Sequence, residues 1–219
     1  MIRACIFDLD GVIVDTARYH YLAWKRLAHS FDHNLTEREN ERLKGVSRME
    51  SLDIVLELAG VSLSSEHKAI LADKKNRWFN EYVEQMTPEE IFPGVKELIA
   101  NLKKAGLRVG LASSSKNART VLNRLDISSE FDAVVDGSMI TRTKPDPEIF
   151  LTAAAKLGVD PSECLVVEDA EAGVEAARAA GMMVIGIGSP ITLQKAQRVF
   201  PKTSDITLET IQELTKVNR

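Results

Sequence analysis

The sequence predicts an α/β fold: a doubly wound, Rossmann-like parallel sheet core carrying an inserted α-helical cap. Three observations lead there. Short runs that are apolar at consecutive positions, as strands covered on both faces are, alternate with segments of helical period. A long, purely helical stretch separates the first of these runs from the second, too much chain for a single crossover. Polar, chemistry-bearing residues come directly after the runs, where an open parallel sheet binds its ligands.

The strand-like runs are Ile2–Phe7, Leu107–Ala112, Ala133–Val135, Cys164–Val167 and Val184–Ile187. Between them, Val95, Leu98, Ile99 and Leu102 recur with helical spacing, as do Ala170, Gly173, Val174 and Ala177. Asp146 is placed to cap a helix with Pro147 at its first position, and Gly158 to end it. Inside the long gap, Trp24, Leu27, Ala28 and Phe31 form one apolar stripe, and Leu52, Val55, Leu56 and Ala59 another. The cap is therefore expected over 16–91, with residues 1–15 and 92–219 forming the core. Pro88, Pro93 and Gly94 mark the return.

With 219 residues, 44% hydrophobic and 27% charged, the chain has the composition of a folded domain with room for an appendage, not of a disordered or fibrous protein. A net charge of −4 and a pI near 5.7 give no basic footprint for nucleic acid. No run approaches the ~20 apolar residues of a membrane span. The apolar start is cut by Asp8 and Asp10 before it could form a signal peptide's long apolar run. Cys5 and Cys164 sit inside apolar runs and are read as small buried hydrophobes. A cytoplasmic setting, with no nucleic-acid or membrane partner, is expected.

The strand ends carry the chemistry. After the first run come Asp8 and Asp10, two residues apart and so on one side of an extended backbone; alone, such a pair is equally a solvated turn. After the second comes Ser113-Ser114-Ser115-Lys116-Asn117, hydroxyls and amides suited to an anion at a helix start, or to a generous N-cap. After the third comes Lys144, in Thr143-Lys144-Pro145-Asp146-Pro147, and after the fourth Glu168-Asp169. Together these groups fall on one edge of one sheet. Four crowded carboxylates would raise one another's pKa unless cations were present. Lys144 supplies one, and Mg²⁺, which prefers hard carboxylate oxygens, is the expected cofactor.

Asp8-x-Asp10-Gly11-Val12, Ser113, Lys144 and Glu168-Asp169, in that order, resemble the four motifs of the haloacid-dehalogenase superfamily, and the resemblance runs over the whole chain. Thr16, His20 and Trp24, the segment Lys44-Gly45-Val46-Ser47-Arg48, Lys75, and Ser113 to Asn117 resemble its sugar-phosphate mutase branch. Ser114 and Ala170 stand where the family commonly has Ala and Ser, and neither position supplies a catalytic group.

The resemblance implies interconversion of a β-hexose 1-phosphate and a hexose 6-phosphate through an aspartyl phosphate and a bisphosphate intermediate. Asp8 would be the nucleophile, and Asp10 the acid and base at the sugar oxygen. Mg²⁺ would be held by Asp8, by Asp10 through its carbonyl oxygen, and by Asp169 with Glu168 helping. Ser113 and Lys144 would bind the transferring group, with Thr16 and His20 completing the catalytic set and His20 positioning Asp10. Arg48 would hold the second phosphate with Ser115, Lys116 and Asn117, and Trp24 would wall the sugar. Gly45, Val46, Ser51, Lys75 and Ser114 complete the expected substrate-binding set. The partner implied is a small-molecule sugar phosphate, and a monomer is expected. A sugar-phosphate phosphatase with the same nucleophile is the alternative.

Overall fold

The computed structural model describes residues 1–43 and 46–217, the side chains of 215–217 excepted. In chain order the elements are β1 (Ala4–Phe7), then helices α1 (Ala17–His29), α2 (Glu37–Asn40), α3 (Arg48–Leu58) and α4 (Ser65–Val83). After these come α5 (Val95–Lys104), β2 (Arg108–Ala112), α6 (Ala118–Arg124), β3 (Ala133–Val135), α7 (Glu148–Leu157), β4 (Cys164–Glu168), α8 (Glu171–Ala179), β5 (Met183–Ile187), β6 (Arg198–Phe200) and α9 (Leu208–Val217).

The strands form one parallel sheet in the order β3-β2-β1-β4-β5-β6. Strand order turns back at β1, so the crevice between the carboxyl ends of β1 and β4 is the topological switch point. All four residues of β1 are fully buried, which requires cover on both faces. On one face Ala4, Ile6, Cys164 and Val166 pack with Ile149, Phe150 and Ala153 of α7 and Val174 and Ala177 of α8. Cys5, Phe7, Leu165 and Val167 alternate to the other face and are as deeply buried. Right-handed crossovers that run outward in opposite directions from β1 put α5 opposite α7 and α8.

The sequence carries no signal for β6. Its three residues, Arg198-Val199-Phe200, form a partly exposed edge strand without an apolar run. The predicted cap on α7 is displaced by one residue: Pro147 occupies the N-cap and Glu148 begins the helix, while the Asp146 carboxylate still accepts the Glu148 N–H at 2.9 Å. Gly158 ends α7 in the left-handed region, as the sequence indicates.

Backbone packing divides the chain into two units, Met1–Asp15 with Thr87–Arg219, and Thr16–Met86. The helical segment thus ends at Met86 and not Ile91. The turn after Thr87 counts with the sheet unit, where Phe92 N–H donates to Ile13 C=O at 2.8 Å. In the helical unit Trp24, Leu27, Ala28, Leu52, Val55, Leu56 and Ala72 of α1, α3 and α4 make one apolar cluster. No described helix is long and apolar enough to cross a membrane. Cys5 and Cys164 are free and buried.

Candidate active site

Asp8 comes directly after the last residue of β1, and its N–H donates to Val167 C=O at 2.9 Å, which extends the sheet register by one residue. The carboxylate is buried and accepts from Lys144 Nζ at 2.6 Å. Lys144, from the β3–α7 loop with a cis bond to Pro145, also donates to Glu168 Oε2 at 2.8 Å and to Ala112 C=O at 3.4 Å. One ammonium thus ties the ends of β1, β2 and β4 together. Glu168 lies inside β4 as its last residue, paired in register with Gly186, and is 1% exposed. Its other oxygen accepts the Ala170 N–H at 3.2 Å.

Among the described residues, Asp8, Glu168 and Asp169 bring one carboxylate oxygen each within 4.8 Å of one another. Two glycines make room for them. A Cβ on Gly173 would overlap the Glu168 carboxylate, and one on Gly11 would overlap that of Asp169. Gly11 also sits at φ +74°, where a side chain is strained. The turn it opens directly follows Asp10, which bridges to Val14, and Gly11 N–H donates to Val14 C=O at 2.9 Å. Thr203 pins the turn from the far end of the chain, its hydroxyl donating to Val12 C=O at 2.7 Å.

Among the described residues one lysine, Lys144, faces this group of carboxylates, so they outnumber the positive charge there. Burial alone would lower the Lys144 pKa, but Asp8 and then Glu168 outweigh it and hold the ammonium firmly charged. Burial, reinforced by Asp8, pushes Glu168 up against the pull of Lys144. Desolvation, then Asp8, Glu168 and Asp10, pushes Asp169 up to about 8. Carboxylates that resist ionisation together in this way are a fitting receptor for a hard divalent cation.

Ser113 comes just after β2 and is buried, with its N–H donating to Val135 C=O and its hydroxyl accepting from Ser115 N–H at 3.2 Å. Ser115 Oγ in turn accepts the Asn117 N–H at 3.2 Å. Asn117 is buried, whereas Ser114 and Lys116 are exposed. Two residues that the sequence pattern does not single out support this loop. Asp136, just after β3, is buried and accepts from Arg119 Nε at 3.1 Å and from Ser138 N–H at 2.9 Å. Gly137 N–H donates to Ser115 C=O, and a Cβ there would strike the Ser114 carbonyl. A polar residue ending a β-run, as Asp136 does, is the signal that could have found it.

The helical unit gathers a second group. Thr16 is buried at the start of α1 and its carbonyl accepts the Tyr19 and His20 N–H groups. One and two turns further, His20 and Trp24 face α4. Lys75 Nζ lies 2.7 Å from His20 Nδ1, 4.5 Å from the Trp24 ring centre and 5.2 Å from that of Phe79. The His20 and Phe79 rings stack at 4.0 Å. Arg48 opens α3 behind a capping box in which Ser47 and Glu50 satisfy each other's backbone N–H. Its Nη2 donates to Asn76 Oδ1 at 3.0 Å.

Lys75 is 2% exposed and forms no ion pair with a carboxylate among the described residues. Burial, then Arg48, lowers its pKa to about 7. Burial, then Lys75 and Arg48, holds His20 neutral. Ser51 is buried, its hydroxyl donating to Leu43 C=O at 3.5 Å, and Val46 is exposed. Gly45 and Lys44 lie outside the described residues.

A parallel sheet with an Asp-x-Asp turn, a lysine and an acidic pair at its switch point fits a phosphoryl-transfer class of α/β enzyme. Residues 2–181 match the model of the haloacid dehalogenase-like hydrolases, and the chain belongs to that family. It is 46% identical to the beta-phosphoglucomutase of Bacillus subtilis over 96% of this chain and 94% of that protein. A phosphorylated carbohydrates phosphatase of Thermotoga maritima is 36% identical, over 82% of each chain. A crystal structure of beta-phosphoglucomutase from Clostridium difficile superposes with a TM-score of 0.92 at 43% identity, each chain fully covered.

Proposed function

We propose that this enzyme interconverts a β-hexose 1-phosphate and the corresponding 6-phosphate, through an aspartyl phosphate on Asp8 and a hexose bisphosphate. The observation that carries the reading is the buried Asp8 carboxylate, held by Lys144 at 2.6 Å beside the Glu168–Asp169 pair. Its free oxygen attacks phosphorus. Asp10 gives a proton to the departing sugar oxygen and later takes one from the incoming hydroxyl, because an alkoxide leaves poorly unaided. Lys144 and Ser113 bind oxygens of the transferring group. Asp8, Asp169, Glu168 and the Asp10 carbonyl would hold Mg²⁺, which neutralises charge on the phosphoryl group when bound. Arg48 binds the phosphate that is not transferred, for which a planar guanidinium fork is suited. Trp24 lies against the sugar.

The 36% identity to a carbohydrate phosphatase supports hydrolysis as a second reading, which differs in whether water reaches the aspartyl phosphate. Incubation with β-glucose 1-phosphate, Mg²⁺ and a bisphosphate primer separates the two. Glucose 6-phosphate should exceed released phosphate; phosphate release without isomerisation would reverse the assignment.

A further inference from the structure

Residues 141 to 148, which carry Lys144 between β3 and α7, are closed into a ring of hydrogen bonds by their own acidic side chains. Glu148, the first residue of α7, accepts the Thr141 N–H at 3.0 Å, the Arg142 N–H at 2.8 Å, the Thr141 hydroxyl at 3.0 Å and Arg142 Nε at 3.4 Å. Asp146 accepts the Glu148 N–H at 2.9 Å and pairs with Arg142 at 3.2 Å, and its own N–H donates to Thr143 C=O at 3.0 Å. Every one of these bonds joins a residue before Lys144 to one after it, or fastens the second group to α7. The helix is itself anchored, since Ile149 and Phe150 are fully buried beneath the sheet.

We infer that Glu148 is a positioning residue: through Thr141 and Arg142 it fixes the backbone from which Lys144 reaches Asp8. The inference rests on the proposed role of Asp8 and Lys144 in phosphoryl transfer. Lys144 must hold its ammonium within hydrogen-bond reach of two carboxylates at once, and a long flexible side chain does so only from a fixed origin. A carboxylate suits the ring because all four groups facing it are donors. Glutamine is nearly isosteric but would turn its NH₂ towards one of two backbone N–H groups, breaking that side of the ring.

Phosphorylation of Asp8 by acetyl phosphate, with melting temperature measured in parallel, tests this in the full chain. Glu148→Gln should slow phosphorylation by about tenfold, the scale for loss of a group that orients a first-contact residue. Glu148→Asp, which keeps the charge but is shorter, should fall in the same direction and covers the case of a glutamine variant that does not fold. In a Lys144→Met background, Glu148→Gln should slow the reaction no further, because the side chain it positions is gone. A Glu148→Gln rate within twofold of wild type, whatever its melting temperature, would overturn the inference. So would equal fold-losses with and without Lys144, which would assign Glu148 to general stability. Failure of the wild-type protein to phosphorylate Asp8 would instead overturn the reading on which it rests.

Discussion

Replacing Lys75 with methionine should stabilise the helical unit at acid pH and do almost nothing at alkaline pH. Lys75 is buried against Trp24 and Phe79, and its pKa falls from 10.5 to about 7, through burial first and Arg48 second. The folded value lies below the unfolded one, so between pH 7 and 10.5 the unfolded chain holds a proton that the folded chain has released. Below pH 7 both states are charged and the whole cost of burying the ammonium is present. The gap between 10.5 and about 7 sets that cost at about 5 kcal/mol. It declines by about 1.4 kcal/mol per pH unit through the window, to roughly 1 kcal/mol at pH 9.5. Losing the hydrogen bond to His20 offsets about 1 kcal/mol. Methionine fills nearly the same volume with no charge. Lys75→Met should therefore gain about 3–4 kcal/mol at pH 6 and less than about 1 kcal/mol at pH 9.5. The chain's two tryptophans, Trp24 and Trp78, both lie in the helical unit, so urea unfolding monitored by fluorescence reads this unit directly. A gain equal at both pH values, or a loss at pH 6, would refute the electrostatic argument. A lysine retained at such a cost fits a duty towards anionic ligands.

Arg48→Ala should cost about 2–4 kcal/mol in sugar-phosphate isomerisation while leaving Asp8 phosphorylation by acetyl phosphate nearly unchanged; equal losses in the two assays would place Arg48 in support of the fold. EDTA should silence the enzyme, and Ca²⁺ should restore it poorly. Because Asp169 is raised to about 8, metal binding below that pH displaces a proton, and calorimetric Mg²⁺ affinity should weaken as pH falls from 8 to 6; a flat profile would contradict the assignment. Gly11→Ala combines a left-handed backbone with overlap on Asp169. It should lose about 1–2 kcal/mol of stability from backbone strain and, in the same protein, most of its Mg²⁺ affinity, both absent if the turn can relax.

Local signals make the sheet and its chemical edge legible. β1, β2 after Arg108 and β4 before Glu168 are apolar runs because they are buried on both faces, and Asp8, Ser113 and Glu168-Asp169 are recognisable as the polar residues that follow them. β6 leaves no trace because an edge strand of three residues needs no apolar run. The acid at the end of β4 reads as lying one residue outside its strand: a buried charged residue breaks the apolar pattern while continuing the ladder. Long-range partners are the least legible. That Lys75 meets His20, that Thr203 pins Val12, or that Gly173 clears space for Glu168 depends on the folded topology. Glu148 is hidden differently, since at the start of a helix its carboxylate reads as a favourable charge for the helix dipole, and its bonds to four donor groups of the preceding loop appear only in three dimensions.

The covalent step on Asp8 is the central claim, and trapping it is the most direct measurement. The enzyme, mixed with radiolabelled acetyl phosphate and Mg²⁺ and quenched in acid, should carry one phosphoryl group on the peptide that contains Asp8. That label should pass to glucose phosphate when the unquenched phosphoenzyme meets β-glucose 1-phosphate. Asp8→Asn should remain folded, take up no label and retain less than about a thousandth of wild-type turnover, a barrier increase of about 4 kcal/mol. Label on any other residue, or turnover that survives in Asp8→Asn, would contradict nucleophilic catalysis by Asp8.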